Sequence, residues 1–473
     1  MSGAGARTVT TSGGPEGGDG VCVASVAEAT AVPETAEAAV ADHALGHAVD
    51  SARPAPRAVR GTGPRAPYGL PRRSVRRVAV VGAGMAAARF ARQFLALAPP
   101  GGAEVTLYGA EPQAPYNRAL LTGVLQGRYA PATLALPTGG ATVRTGNPVV
   151  AVDTAARTLR TVSGTTAGYD TLVLATGAAP VLPDLGGLRT ASGAPKAGVH
   201  PLRTLADCAR IAEDARDARA AVVVGGGVLA VGAAHALAAG GLPVHLVHRA
   251  AHLMDRHLDA GAAATVRRTL EASGVTVHRG PAARLLGDDR VTGLELADGR
   301  RIDARLAVLA CGVRPRAGLA RAAGLKVASG VVVDDTLAAS APDVHAIGDC
   351  AEHGHVLHGR AEAAWEQADA LAAALAEGRR GRACPVPPAL VRLGAGPLEV
   401  AAFGDSTGTG AGTEAVTLAD ATRGTYRKLV LRDDVPVGAI LVGDLTTVGD
   451  VADAVARGEP VAGDALDLLV GGG

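Results

Sequence analysis

Aromatic side chains are scarce: the chain has one Trp, six Tyr and three Phe in 473 residues. Single-stranded nucleic acid is held by stacking bases on aromatic rings, so this chain lacks the platforms for that work. Charge of one sign is also missing, with 46 Lys and Arg against 45 Asp and Glu. A net charge of +1 supplies no field for a nucleic acid or an anionic membrane, and neither is expected as a partner. No apolar run approaches the roughly 20 residues that span a bilayer. The start lacks the basic region and apolar core of a secretory signal. The five cysteines, Cys22, Cys208, Cys311, Cys350 and Cys384, are scattered, with no CxxC, zinc-knuckle or cluster spacing. Reduced thiols in a cytoplasmic protein with no bound metal are the expectation.

What is present divides unevenly. A chain of 473 residues exceeds one typical domain. Residues 1–73 read as a disordered tail, because the first 50 are rich in Gly, Ala, Thr and acids without an apolar period. From Ser51 to Arg77 eight arginines stand among prolines with no acid, which suits either a solvated linker or an anionic partner. Order is expected from Val75. There "RRVAVVGAGMAAARFARQFLALA" reads as buried strand, glycine turn and helix, and "ARAAVVVGGGVLAVGAAHALAAGGLPVHLVHR" repeats the unit from Ala220. Alternating strands and helices imply α/β folds with parallel sheets covered on both faces. After about Pro385 the pattern changes. "EVAAFGD" and "YRKLVLRDDVPVGAILVGD" read as strands, the latter two joined at Asp433–Asp434, and "TVGDVADAVARG" as a short helix. The stretch "STGTGAGTE" reads as a loop.

The first glycine motif is Gly82-Ala83-Gly84-Met85-Ala86-Ala87. In such a GxGxxA, Gly82 permits the tight turn, Gly84 lets backbone approach a pyrophosphate, and Ala87 lets helix and sheet pack closely. The helix N-terminus then offers free N–H groups to phosphates. An acid after the second strand binds a ribose hydroxyl, and Glu111 is the candidate, its late position explained by the loop Pro99-Pro100-Gly101-Gly102. An ordinary loop acid is the alternative. The second motif is Gly225-Gly226-Gly227-Val228-Leu229-Ala230, with Gly225, Gly227 and Ala230 in the same roles. Its later strand ends in His248-Arg249 where an NAD site usually has an acid. Arg249 either accommodates a 2′-phosphate, favouring NADPH, or faces solvent. Three further strands end in glycine, at Thr176-Gly177, at Gly312 in "ACGVRP", and at Gly348-Asp349 in "AIGDC". Gly225 follows Gly82 by 143 residues and Gly348 follows Gly225 by 123, the layout of one dinucleotide domain interrupted by another.

This order of motifs resembles the two-dinucleotide-domain flavoprotein reductases of the pyridine nucleotide-disulphide oxidoreductase superfamily, over roughly residues 75–380. The resemblance implies FAD on the first motif, with Asp349 bonding the ribityl chain and Gly177 near the FAD. It implies NADH or NADPH on the second, with Gly312 lining the path to the flavin. It also implies two Rossmann-like domains and a small α+β domain: an FAD-binding domain at 74–200 and 326–385, an NAD(P)-binding domain at 201–325, and a C-terminal domain at 386–473. One position departs. Members often carry Glu two residues after the second motif, where this chain has Gly232.

Disulphide-reducing members keep a cysteine pair, and single-cysteine members place theirs soon after the second strand. The helix from Met85 to Leu97 and the stretch "EPQAPYNRALLTGVLQGRY" contain no cysteine. Electrons are therefore expected to leave the flavin for oxygen, a quinone or, singly, an iron–sulfur partner. "PYNRALLTGVL" resembles a segment of the ferredoxin-, rubredoxin- and nitrite-reductase branch whose arginine contacts FAD, which would be Arg118 here. The C-terminal strands and "HLMDRHLDA" resemble the large subunit of assimilatory NAD(P)H nitrite reductase and, in extent, the electron-transfer subunit of assimilatory nitrate reductase. The implied partner is a nitrate or nitrite reductase, or a ferredoxin- or rubredoxin-type carrier. No side-chain acid or base is required, so no catalytic residue is named. His353, His355 and His358 form a cluster without a convincing acidic partner, and Trp365 opens a helix whose N-terminus the resemblance places toward the flavin.

Overall fold

The apolar runs that precede each glycine turn become central parallel strands. A computed structural model describes residues 7–9, 75–378, 390–461 and 463–471. Within the segment 1–73 it describes only β1 (Arg7–Val9), a strand where the sequence announces no structure; the remaining residues there lie outside the described ones.

From residue 75 the chain runs β2 (Arg76–Val81), α1 (Met85–Leu97), β3 (Ala103–Tyr108), α2 (Leu121–Leu125), β4 (Thr142–Arg144), a three-stranded antiparallel meander and β5 (Thr171–Leu174). A crossing strand β6 (Ala178–Pro180) then leads to β7 (Val199–Pro201), α3 (Leu205–Asp217), β8 (Ala221–Val224), α4 (Val228–Ala239), β9 (Val244–His248), α5 (Ala260–Ala272) and β10 (Val275–Arg279). After another small meander come β11 (Leu306–Leu309), β12 (Val313–Pro315), β13 (Val344–Ala346) and α6 (Ala361–Glu377).

Two parallel five-stranded sheets result, in the orders β13-β5-β2-β3-β4 and β7-β11-β8-β9-β10. The first is completed by β13, which arrives only after the second sheet has been built, so one domain interrupts the other. The crossing strands β6 and β12 pair antiparallel, Ala178 opposite Pro315, and tie the two passages together. Val80, Phe90, Phe94, Leu107 and Leu172 are fully buried in the first core. Phe90 and Phe94 stack at 5.6 Å, one helical turn apart.

The C-terminal sheet contains β14 (Leu390–Ala395), β15 (Leu398–Gly404), β16 (Thr413–Asp420), β17 (Thr425–Arg432) and β18 (Val435–Val442), followed by α7 (Val448–Arg457). Its order is β1-β16-β17-β18-β15-β14, with Arg7 opposite Val416. Asp433 and Asp434 both have positive φ, 51° and 63°, the backbone of a two-residue hairpin between β17 and β18. The loop read at "STGTGAGTE" ends at Gly412, since Thr413 and Glu414 already belong to β16. Thr413 Oγ1 closes it by donating to the carbonyls of Gly408 and Gly410 at 2.9 and 2.8 Å. Leu398, Val400 and Ile440 share one core with Val231, Leu246 and Val266, so the C-terminal sheet packs on the second dinucleotide-type domain. Among the described residues no helix is long and apolar enough to cross a membrane.

Candidate functional site

Each parallel sheet ends in a glycine turn at its carboxyl edge, where open α/β sheets bind ligands. Gly82 has φ 116°, and a Cβ there would lie 2.1 Å from the carbonyl oxygen of Ala175. Gly225 repeats this with φ 139° and 2.3 Å to the oxygen of Ala310. Any larger residue would push the turn off the neighbouring strand. Gly84 and Gly227 differ from these, since a Cβ on either meets nothing within 4 Å. Both are the N-caps of their helices, α1 and α4, with no side-chain cap and no acid in the first turn. Each helix N-terminus therefore keeps its positive dipole and first N–H groups without a capping side chain, the arrangement that receives phosphates. Ala87 and Ala230 are fully buried behind the turns.

A polar network faces the first turn. The Arg118 backbone N–H donates to Met85 Sδ at 3.4 Å, placing Arg118 beside the start of α1. Its guanidinium pairs with Glu111, donates to the Tyr116 hydroxyl at 2.8 Å and to the Arg203 carbonyl at 3.2 Å, and lies 4.6 Å over the Tyr116 ring. The Tyr116 hydroxyl in turn donates to Glu111 Oε2 at 2.7 Å and accepts from the backbone N–H of Leu205 at 3.2 Å. Burial, with the neighbouring Glu111, holds this phenol well above its ordinary pKa despite Arg118. Glu111 and Arg118, chosen as separate candidates, thus form one ion pair.

The sequence reading missed Arg203. Its guanidinium donates to Oδ2 of Asp349 at 2.5 Å. It stands just before the capping box of α3, where the Thr204 hydroxyl accepts from Asp207 N and the Asp207 carboxylate accepts from Thr204 N. The pair brings the chain leading into the second domain against the turn after β13. Gly348 there is backed by Ala86 and Ala364, and its N–H donates to Gln367 Oε1 at 2.7 Å. No local signal marks Arg203, since its partner is distant in sequence.

Thr176 and Gly177 sit at the crossing. Thr176 Oγ1 donates to the Arg316 carbonyl at 2.7 Å and the Arg316 N–H donates to Gly177 O at 2.9 Å. A cavity of about 1060 Å³ opens here, lined by Gly82, Tyr108, Ala110, Thr176, Arg316 and Leu319 among others.

The second turn is simpler. Arg249 is exposed and Gly312 stands exposed beyond β11. Gly232 is buried on α4, where a Cβ would lie 2.9 Å from Thr122 Cγ2 and 3.1 Å from Leu393 Cδ1. That explains the missing glutamate: α2 and the C-terminal β14 close over this position. "HLMDRHLDA" serves packing. Asp259 caps α5 by accepting from Ala262 N at 2.9 Å, and also accepts from Tyr426 Oη at 2.8 Å and Lys428 Nζ at 3.0 Å in β17.

Burial disfavours the thiolate at each of the described cysteines, Cys208, Cys311 and Cys350. Burial, with the charge of Asp207, pushes Cys208 up to about 12, and burial also raises Cys350. His353 is buried and bonded to Asp335 at 2.9 Å, and Trp365 is half-buried on α6. Among the described residues no group of three metal-ligating side chains comes together.

Residues 76–372 match the family model of the pyridine nucleotide-disulphide oxidoreductases. The chain belongs to this family. Residues 393–459 match the C-terminal domain of rubredoxin NAD+ reductase. Within the family, the chain is 34% identical over 376 residues to nitrite reductase [NAD(P)H] of Bacillus subtilis, covering 78% of this chain and 46% of that protein. It is 33% identical over 353 residues to the assimilatory nitrate reductase electron transfer subunit of the same organism, covering 72% and 44%. The chain therefore spans about half the length of the curated relatives it matches. Among solved structures, the ferredoxin reductase of the CYP199A2 system from Rhodopseudomonas palustris superposes with a TM-score of 0.68 at 27% identity, covering 78% of this chain and 91% of that one.

Proposed function

We propose that this chain is an NAD(P)H-dependent FAD flavoprotein that delivers electrons to a redox partner in nitrate or nitrite assimilation. The observation that carries the reading is the pair of glycine turns, each opening onto an uncapped helix N-terminus with room for a pyrophosphate. The family and the names of its nitrite- and nitrate-reductase relatives support it.

In this reading residues 74–200 and 326–385 hold FAD. Gly82, Gly84 and Ala87 shape the pyrophosphate turn. Glu111, oriented by Tyr116 and Arg118, faces the adenosine ribose, and Arg118 lies beside the phosphates. Thr176 and Gly177 flank the cofactor, while Gly348 leads into Asp349, which with Arg203 receives the ribityl hydroxyls. Residues 201–325 hold the nicotinamide nucleotide through Gly225, Gly227 and Ala230, with Arg249 at the adenosine end and Gly312 toward the flavin. Residues 386–473 buttress the second domain. When bound, FAD accepts a hydride and gives up electrons one at a time, chemistry that no side chain here supplies.

The natural acceptor is an iron–sulfur protein, of ferredoxin or rubredoxin type or within a nitrate or nitrite reductase. Turnover of FAD-loaded protein with NADPH tests this. Single-electron acceptors should be reduced many times faster than oxygen is consumed without them. Oxygen consumption that matches carrier reduction would make the protein an oxidase instead.

A further inference from the structure

Away from both glycine turns, two imidazoles meet at the edge of the second sheet. His245 Nδ1 and His278 Nε2 lie 3.0 Å apart, with ring centroids at 5.2 Å. Among the described residues no other two imidazole nitrogens come within hydrogen-bond distance. The strand register brings them together. In the parallel pair β9 and β10, His245 stands opposite Thr276 and Val247 opposite His278, so the histidines are diagonal neighbours on one face. Val247 on that face is buried against Leu285 and Leu294 of the meander that follows β10. Leu246, on the other face, packs with Val231 of α4 and Val266 of α5. β10 is the last strand of its sheet, and both rings are half-buried.

As neutral rings the pair holds one hydrogen between the facing nitrogens, one ring donating and the other accepting. When that hydrogen passes through solvent to the outer nitrogen of the donating ring, both facing nitrogens present lone pairs. Two lone pairs so close need a cation between them. Imidazole nitrogens bind zinc at about 2.0–2.1 Å, and ligand angles of about 90–109° then set two of them about 2.9–3.4 Å apart. The observed 3.0 Å falls in that range. Desolvation holds both rings below the ordinary histidine pKa, joined at His278 by the charges of His245 and Arg300, so neutral rings, the form that binds metal, prevail at pH 7. Arg300 itself is exposed and donates to Asp298 Oδ2 at 2.8 Å.

We infer that His245 and His278 form a two-histidine site for a borderline divalent transition ion, with Zn²⁺ as its probe and water completing the coordination. Two protein ligands make an open, exchangeable site rather than a closed structural one. The bound ion clamps the edge strand β10 onto β9. Through β9 it also stiffens the second glycine turn, because the Gly225 N–H donates to the Val247 carbonyl at 2.9 Å. The site stands independently of what that turn binds.

The test uses the purified full-length chain, freed of metal with a chelator and titrated calorimetrically with ZnCl₂ at pH 7.5. We expect a site that His245→Gln and His278→Gln each weaken by at least tenfold. Weak sites elsewhere among the 13 histidines drop out of the comparison, because the variants keep them. Thermal melting in excess Zn²⁺ reads the same site through stability: the ion should raise the melting temperature of the parent by more than that of either variant. Arg300→Gln, an exposed change that leaves the fold intact, removes a repelling charge and should tighten Zn²⁺ about threefold, the scale of an exposed charge contact. Zinc binding that survives both single variants, or that only one of them weakens, overturns the site, as does an affinity that Arg300→Gln leaves unmoved. A parent chain that takes up no Zn²⁺ reduces the pair to a hydrogen bond and overturns it outright.

Discussion

Arg203 and Asp349 stand 146 residues apart and meet at 2.5 Å. Their side chains are about one-fifth exposed, at 21% and 19%. The contact links the chain entering the second domain to the turn that closes the first. If Asp349 receives ribityl hydroxyls, Asp349→Ala removes a charge-assisted acceptor worth about 1.5–3 kcal/mol. FAD occupancy, read from the ratio of flavin to protein absorbance, should fall. Arg203→Ala should weaken FAD too. The double variant should lose less than the sum of the singles, because the partners share one network. Strict additivity would show that the two act independently on the cofactor.

Tyr116 holds three groups at once: Glu111, Arg118 and the N–H of Leu205. Tyr116→Phe keeps the ring under Arg118 and deletes all three contacts. We expect a three- to tenfold weaker FAD dissociation constant, about 0.7–1.4 kcal/mol, because Glu111 and Arg118 remain paired to each other. Equilibrium dialysis of the apoprotein with FAD measures it. An unchanged constant would mean that the pair needs no orienting hydroxyl.

The join between α5 and the C-terminal sheet predicts a pH dependence. Burial pushes the Asp259 carboxyl up, but the donors Ala262 N, Lys428 and Tyr426 outweigh it and hold the pKa below the usual value. A depressed carboxylate stabilises the fold above its unfolded value of about 3.9 and loses that contribution as the pH falls through the folded value. Lys428→Met should cost on the order of 1–2 kcal/mol at neutral pH, discounted for the partial exposure of Asp259. It should also flatten the loss of stability below about pH 4. Chemical denaturation across pH 3–6 compares the two proteins, and parallel curves would contradict the coupling.

Gly232 predicts that restoring the family's glutamate fails. A Cβ there already crowds Thr122 and Leu393. Gly232→Ala should destabilise by about 1–3 kcal/mol, the usual cost of overpacking. Gly232→Glu should cost more and loosen β14 from α4, visible as a lower melting temperature and faster amide exchange in β14. A Glu variant as stable as the parent would mean that this interface opens readily.

Local features were legible in the sequence. The two strand–turn–helix units follow from apolar runs and glycines, and the Asp433–Asp434 hairpin from polar residues that tolerate positive φ between apolar strands. Gly82, Gly84, Gly225 and Gly227 lie where their spacing predicts. Long-range pairings were not legible. Arg203 looks like any linker arginine until Asp349 arrives, and Asp259 looks like a helix cap until Lys428 docks on it. The strand β16 escaped notice because most of its residues are half-buried, so no apolar alternation marks it.

If the two glycine turns hold FAD and NAD(P)H, two nucleotide sites in one chain cooperate to reduce a flavin. Anaerobic mixing of FAD-loaded protein with NADPH, followed by flavin absorbance near 450 nm, tests it most directly. We expect a yellow protein, with FAD released on denaturation, whose absorbance bleaches within one turnover of added NADPH. A protein that takes up no FAD, or one whose bound FAD stays oxidised in the presence of both NADPH and NADH, would contradict it.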